Sequence, residues 1–242
     1  MPKSPKAAGA AACPEISAVA IDLRVAQLMC SRLCHDLVGP AGAVNAGVEF
    51  LDEAQGRDDG ALALAKASGR QVTRRLAFYR VAFGLAGGVD GVLTLAEARD
   101  LAEGMFAGGR VELDWPVVGS GTDPQTPRPL NAVRLVLCQV LIAAGALPRG
   151  GRLEVRFAEH REGFDAWVSA IGRDAGFCDD LLAAIRPVAA AADLTARTVH
   201  GYYAARLAER LGTALRIEDG GAETCRITAT MPATVAIEAS AA

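Results

Sequence analysis

The chain has 242 residues, of which 51% are hydrophobic, 22% charged and 5% aromatic, and its net charge is -3. That length allows one large domain or two modest ones with a substantial core, packed more by aliphatic side chains and close backbone approach than by rings. The acidic balance argues against nucleic acid as the principal partner, because phosphate binding calls for a basic surface.

Residues 1–14 carry two lysines and an alanine run ending at Cys13. The apolar stretch is about half as long as an export signal requires, so a disordered tail is expected. Val25, Met29, Leu33 and Leu37 repeat every four residues, and Val44, Val48 and Leu51 resume the stripe after Gly39-Pro40. This spacing predicts one long helix over 16–54. Gly56-Arg57-Asp58-Asp59-Gly60 reads as a turn whose aspartates cap a second helix. That helix is expected to run to about Phe83, with an apolar stripe of Val72, Leu76, Tyr79 and Phe83 and a narrow first half rich in alanine. A lone two-helix hairpin over 15–86 leaves apolar flanks wet, so a symmetric homodimer forming a four-helix bundle is expected.

Beyond the glycine-rich link at 84–91 the periodicity changes. Strand-like runs fall at 91–95, 110–115, 151–158, 164–171, 213–218 and 224–231, and helical runs at 95–107, 129–147, 178–186 and 194–211. Antiparallel strands with helices over one face predict an α/β sandwich over 90–236, with 116–129 as a long loop. The fold class expected is therefore α+β. Cysteines at 13, 30, 34, 138, 178 and 225 form no CxxC pair, which fits free thiols in a reducing, cytoplasmic compartment. The apolar run 135–147 is too short to span a bilayer, so no membrane is expected as partner.

The chemistry concentrates at Ser31-Arg32-Leu33-Cys34-His35-Asp36-Leu37-Val38-Gly39-Pro40. Each helical residue advances about 100°, so His35 lies about 200° from both Leu33 and Leu37 and faces away from the apolar stripe. The adjacent Asp36 can hold one ring nitrogen protonated and leave the other free to attack phosphorus. Pro40 withholds an amide from the Asp36 carbonyl, which predicts a kink or loosening one turn beyond the histidine. Gly39, Ala41, Gly42 and Ala43 keep that surface low enough for a docking protein. Arg70, Arg74, Arg75 and Arg80 on the second helix are read either as a solvated face or as a basic flank for an acidic partner. Cys30 and Cys34 share a helix face, but His35 points about 100° away and no fourth ligand is evident for a metal. His160 and His200 are read as structural.

Cys34-His35-Asp36-Leu37-Val38-Gly39-Pro40 resembles the H-box of two-component histidine kinases, and Leu130 to Leu147 with Pro148-Arg149-Gly150-Gly151 resembles the N-box helix and turn of their ATP-binding domain. The nucleotide ligands are missing. The two N-box asparagines fall at Cys138 and Ile142, and the adenine-reading aspartate falls near Ala170, which leaves Gly172 without its acid. The glycine-rich lid is replaced by residues 194–203. A kinase-like chain that keeps its histidine and lacks these groups is similar to the ChpT-type histidine phosphotransferases of alphaproteobacteria. The likeness spans roughly 20–232, with further echoes at Phe78 to Gly84 and Leu194 to Tyr203.

That resemblance implies a homodimeric phosphorelay protein with His35 and Asp36 as catalytic residues and Arg32, Gly39, Gly42 and Arg74 as docking residues. It also implies a hybrid-kinase receiver as donor, CtrA-like and similar response-regulator receivers as acceptors, and no cofactor beyond Mg2+ in the partner receiver. A receiver-binding adaptor without phosphotransfer and an ATP-dependent kinase with eroded motifs are the alternatives.

Overall fold

The structure is a computed structural model describing residues 22–84, 91–116, 123–221 and 223–232. Two long helices come first. Helix α1 spans Leu23–Glu53, capped by Asp22, whose carboxylate accepts from the amides of Arg24 (2.9 Å) and Val25 (3.3 Å). Residues 16–21, where the pattern places the helix start, lie outside the described residues, as does the expected tail at 1–14. The chain reverses through Gln55 and Gly56, both in the left-handed region (φ 51° and 77°). Helix α2, Asp59–Ala82, then begins under the Asp58 side chain, which accepts from the Ala61 amide at 2.9 Å. The turn and its cap are those read from the sequence.

Close approach sets the hairpin's upper half. A Cβ built on Gly47 would lie 2.9 Å from the Ala61 carbonyl oxygen and the Ala65 nitrogen and 3.0 Å from the Ala65 Cβ. Gly47→Ala is therefore expected to pry the helices apart at a cost of about 1–3 kcal/mol. A thermal melt checks this, and a melting temperature equal to or above that of the parent chain would refute it.

The lower end of α2 enters a second core. Phe78, Tyr79, Val81 and Ala82 are buried there. Buried Arg134 of helix α4 (Leu130–Gly145) donates to the carbonyls of Val81 (3.1 Å) and Gly84 (2.6 Å) at the end of α2. A guanidinium on the last carbonyls of a helix satisfies groups that have no partner within it.

Between these elements run β1 (Val92–Thr94), α3 (Leu95–Phe106), β2 (Val111–Asp114) and β3 (Pro127–Pro129). After α4 come β4 (Gly151–His160), β5 (Gly163–Ile171), α5 (Asp179–Ala184), a 3-10 turn at Ala191–Asp193, α6 (Val199–Arg210), β6 (Arg216–Asp219) and β7 (Thr224–Pro232). The main sheet has the order β2-β4-β5-β7-β6. Its β2–β4 pair is parallel and the remaining pairs are antiparallel. The alternation in β2 reads as a strand but carries no direction; the crossover through α4 makes that pair parallel. Strand β3, which pairs with β1, is the element the sequence reading leaves in a loop, because two of its three residues are proline.

Alternate residues Leu153, Val155 and Phe157, then Ala166, Val168 and Ala170, and Ile227, Ala229 and Met231 face inward onto α4, nearly all of whose residues are buried. Within α4 the Gln139 side chain donates to the Ala166 carbonyl of β5 at 3.2 Å. Residues 194–198, expected as helix, form an irregular turn ahead of α6. Thr195 and Thr198 bond each other there through amide and hydroxyl contacts at 3.1 and 3.2 Å.

Candidate functional site

Helix α1 continues through Pro40. The carbonyl that the proline leaves without an intrahelical donor finds one on the neighbouring helix. Pro40 has no N–H to give the carbonyl of Asp36, and Arg75 of α2 donates to that carbonyl instead. The basic flank and the proline, read separately in the sequence, are thus one arrangement.

His35 stands on the outer side of α1 with its side chain 84% exposed. Its Nδ1 lies 3.2 Å from Asp36 Oδ1. Asp36 itself is only 18% exposed, and its other oxygen is held twice. Oδ2 accepts from Arg32 Nε at 2.9 Å and from the Tyr79 hydroxyl at 2.5 Å. Burial alone would raise the carboxyl's pKa. The Tyr79 hydrogen bond, the Arg32 charge and N–H, and the His35 contact together outweigh it and hold Asp36 below the ordinary carboxylate range. The same pair drives the Tyr79 phenol well above its ordinary value, through its own burial and then through Asp36. Tyr79 is therefore a fixed donor, and the carboxylate is left with one oxygen directed at the histidine.

Tyr79 is held by neighbouring rings. It stacks on Phe83 with centroids 5.7 Å apart, Phe78 meets it edge-on at 5.8 Å, and Phe83 meets Tyr203 of α6 at 5.3 Å. A buried tyrosine needs a partner for its hydroxyl. That was the available signal for its role; the sequence reading places Tyr79 in an apolar stripe and in the 78–84 echo, with no role for its hydroxyl.

Of the residues expected at a docking surface, Gly39 and Gly42 are exposed, with open space where a Cβ would stand. Arg74 is exposed, its stem running past Gly104. Arg32 is turned inward, 19% exposed, against Asp36 and the second core. Cys30 and Cys34 are both exposed on α1. Among the described residues no group of three or more histidine, cysteine or acidic side chains is placed to hold a metal, and no helix is long and apolar enough to cross a membrane. His160 is the last residue of β4, its Nδ1 accepting from the Glu162 amide at 3.3 Å.

His200 is buried, with Nδ1 3.4 Å from an Arg32 nitrogen and Nε2 without a hydrogen-bond partner among the described residues. Burial, reinforced by the Arg32 charge, pushes its pKa down to about 3. An unfolded histidine titrates near 6.5, so between these values the unfolded chain binds the extra proton. Stability from this residue is complete above about pH 6.5 and is lost as pH falls toward 3. At pH 5 the loss should be on the order of 2 kcal/mol. Denaturant melts at pH 7 and pH 5 check this, with His200→Leu expected to flatten the slope; an unaltered slope in that variant would count against it.

Residues 95–223 match the family model described as the histidine phosphotransferase C-terminal domain. The Protein phosphotransferase ChpT of Brucella abortus (strain 2308) is 36% identical over 199 residues, covering 81% of this chain and 90% of its own. The chain belongs to the histidine phosphotransferase family. A bacterial phosphotransferase solved at 1.7 Å has the same fold, with a TM-score of 0.72 at 33% identity, covering 86% of this chain and 97% of the other. The resemblance to histidine phosphotransferases and the α+β architecture are borne out together by these relatives.

In this histidine phosphotransferase the positions that the kinase resemblance matches to nucleotide ligands are core positions. Cys138, Ile142 and Ala170 are all within 1% of complete burial. Burial pushes the Cys138 thiol up to about 12, which leaves it as packing rather than as a nucleophile.

Proposed function

We propose that His35 takes a phosphoryl group from the receiver aspartate of a hybrid histidine kinase and passes it to receiver aspartates of response regulators, CtrA-like ones among them, without binding ATP. The observation that carries this is the exposed imidazole whose Nδ1 faces a clamped carboxylate. With its proton on Nδ1 and directed at Asp36 Oδ1, the ring has its lone pair on Nε2.

That lone pair attacks phosphorus, the N–P bond forms, and the acyl-phosphate O–P bond breaks to release the donor's aspartate as a carboxylate. Delivery to the next aspartate reverses the step. Asp36 stabilises the positive ring that attack produces. Mg2+ belongs to the receiver's acidic pocket, where it neutralises charge on the transferring group.

Docking falls to Gly39 and Gly42, which let a partner approach the ring, and to Arg74, which offers a cation to an acidic surface. The chain acts as a homodimer in this reading. Leu33, Leu37, Val44, Val48 and Leu51 lie within about 60° of arc on α1, yet Val48 is 53% exposed and Leu76 of α2 is 50% exposed. An apolar cleft of about 270 Å³ opens beside them, lined by Leu33, Leu37, Leu76, Tyr79 and Phe83 among others. A second hairpin would cover it.

The test is labelling of the purified protein, once with a phosphorylated receiver and once with Mg-ATP. Acid-labile label from the receiver and none from ATP is the expected result. Label from ATP would instead make the chain a kinase, and label from neither would leave it an adaptor.

A further inference from the structure

The segment that stands in place of a nucleotide lid lies against the helix that carries His35. Arg24 of α1 donates through Nε to the Ala191 carbonyl (2.9 Å) and through a terminal nitrogen to the Leu194 carbonyl (3.1 Å). Val25, Leu28 and Met29 pack on a small core of Ala184, Leu194 and Val199. Two turns further along α1, Arg32 points a terminal nitrogen at the Arg197 carbonyl and at His200 Nδ1, each 3.4 Å away, while its Nε holds Asp36.

We infer that His200 and Arg32 are positioning residues for phosphotransfer: the second core, through His200, fixes the guanidinium that fixes Asp36, which fixes the tautomer of His35. The inference rests on the reading of His35 as phosphoacceptor. A guanidinium has only donors, so Nδ1 of His200 has to be the acceptor and its ring has to be neutral, with the proton on Nε2. Arg32 is thereby held from both ends. An i,i+4 arginine and aspartate on a solvated helix exchange partners readily, whereas here the plane of the guanidinium is set by groups on two elements. Asp36 Oδ1 then keeps its heading toward the imidazole whether or not a receiver is bound. The lid's replacement thus serves the reaction as a clasp, and His200, which never reaches the phosphoryl group, acts through two intervening side chains.

Two substitutions in the full chain separate positioning from space-filling. His200→Asn puts an acceptor oxygen close to where Nδ1 lies, and His200→Leu fills the space without one. Single-turnover transfer from a phosphorylated receiver should fall about ten-fold in His200→Leu, at unchanged receiver KM, and stay within about two-fold of the parent in His200→Asn. The 15N spectrum of His35 should show the Nδ1–H tautomer in the parent and in His200→Asn, and a mixture in His200→Leu.

A leucine variant as fast as the parent, an asparagine variant slower than leucine, or a loss confined to KM with the tautomer intact would each overturn the inference. Should both variants fail to fold, Arg24→Ala opens the clasp away from the site, and parental rate and tautomer in that variant would overturn it equally. Failure of the His35 reading is distinct: label then persists in His35→Ala, whatever occupies position 200.

Discussion

His35→Ala is expected to reduce labelling from a phosphorylated receiver to background while leaving the fold unchanged. The two halves of that expectation have separate causes. The imidazole is 84% exposed and its polar contact is with Asp36, so its removal deletes little packing, and surface substitutions of this kind shift stability by about 0.5 kcal/mol or less. On the proposed function the chemistry has no substitute, because the phosphoryl group would travel on the ring nitrogen itself. Circular dichroism melts paired with a phosphotransfer gel test both halves. Label surviving in the alanine variant would move the acceptor elsewhere and end the assignment. A melting temperature many degrees lower would mean instead that the ring carries structural weight.

Asp36→Asn carries the second largest effect, and it works through proton placement. Arg32 Nε and the Tyr79 hydroxyl both donate to Oδ2, so an amide at position 36 must turn its oxygen to them. Its NH2 then faces His35 Nδ1, which can only accept. The ring proton is forced onto Nε2, and the lone pair needed for attack is gone. A loss on the order of 10²–10⁴ in transfer rate is expected, the range seen when a catalytic histidine is held in its wrong tautomer or loses acid–base support. Rapid-quench transfer measures it, and a rate within about three-fold of the parent would show that Asp36 does not direct the proton.

The same carboxylate makes stability sensitive to acid. Its folded pKa lies below its unfolded one, so the unfolded chain binds more protons as pH falls. Its contribution is complete above about pH 4 and drains away below that. Asp36→Asn should remove this part of the acid dependence.

The sequence shows the hairpin plainly because its evidence is local: a four-residue apolar period, a turn cluster and an aspartate at the right offset to cap. The strands other than β3 were equally legible as runs, since their inward residues alternate. What the sequence does not display is direction and distance. Nothing in Val111–Asp114 says that it runs parallel to β4; that follows from where α4 goes.

The site divides in the same way. His35 and Asp36 are neighbours in the chain and were found by adjacency. Tyr79 lies 43 residues from Asp36 and His200 lies 168 from Arg32. Three stretches noted for their likeness to one family, 34–40, 78–84 and 194–203, turn out to converge on a single carboxylate, the last of them through Arg32. Their likeness was visible in one dimension, but their convergence was not.

Pro40 and Arg75 form a lock and key between two helices. A proline inside a helix exposes one carbonyl at a fixed height and bearing, and the arginine finds it. Apolar side chains tolerate small rotations of one helix about its axis, but a carbonyl and a guanidinium do not. The hairpin is therefore indexed at the level of His35, and with it the angle at which that imidazole stands out from α1. A lineage that exchanged the proline for a residue with an amide would close the carbonyl into α1 and strand the arginine, so the two positions should change together or not at all.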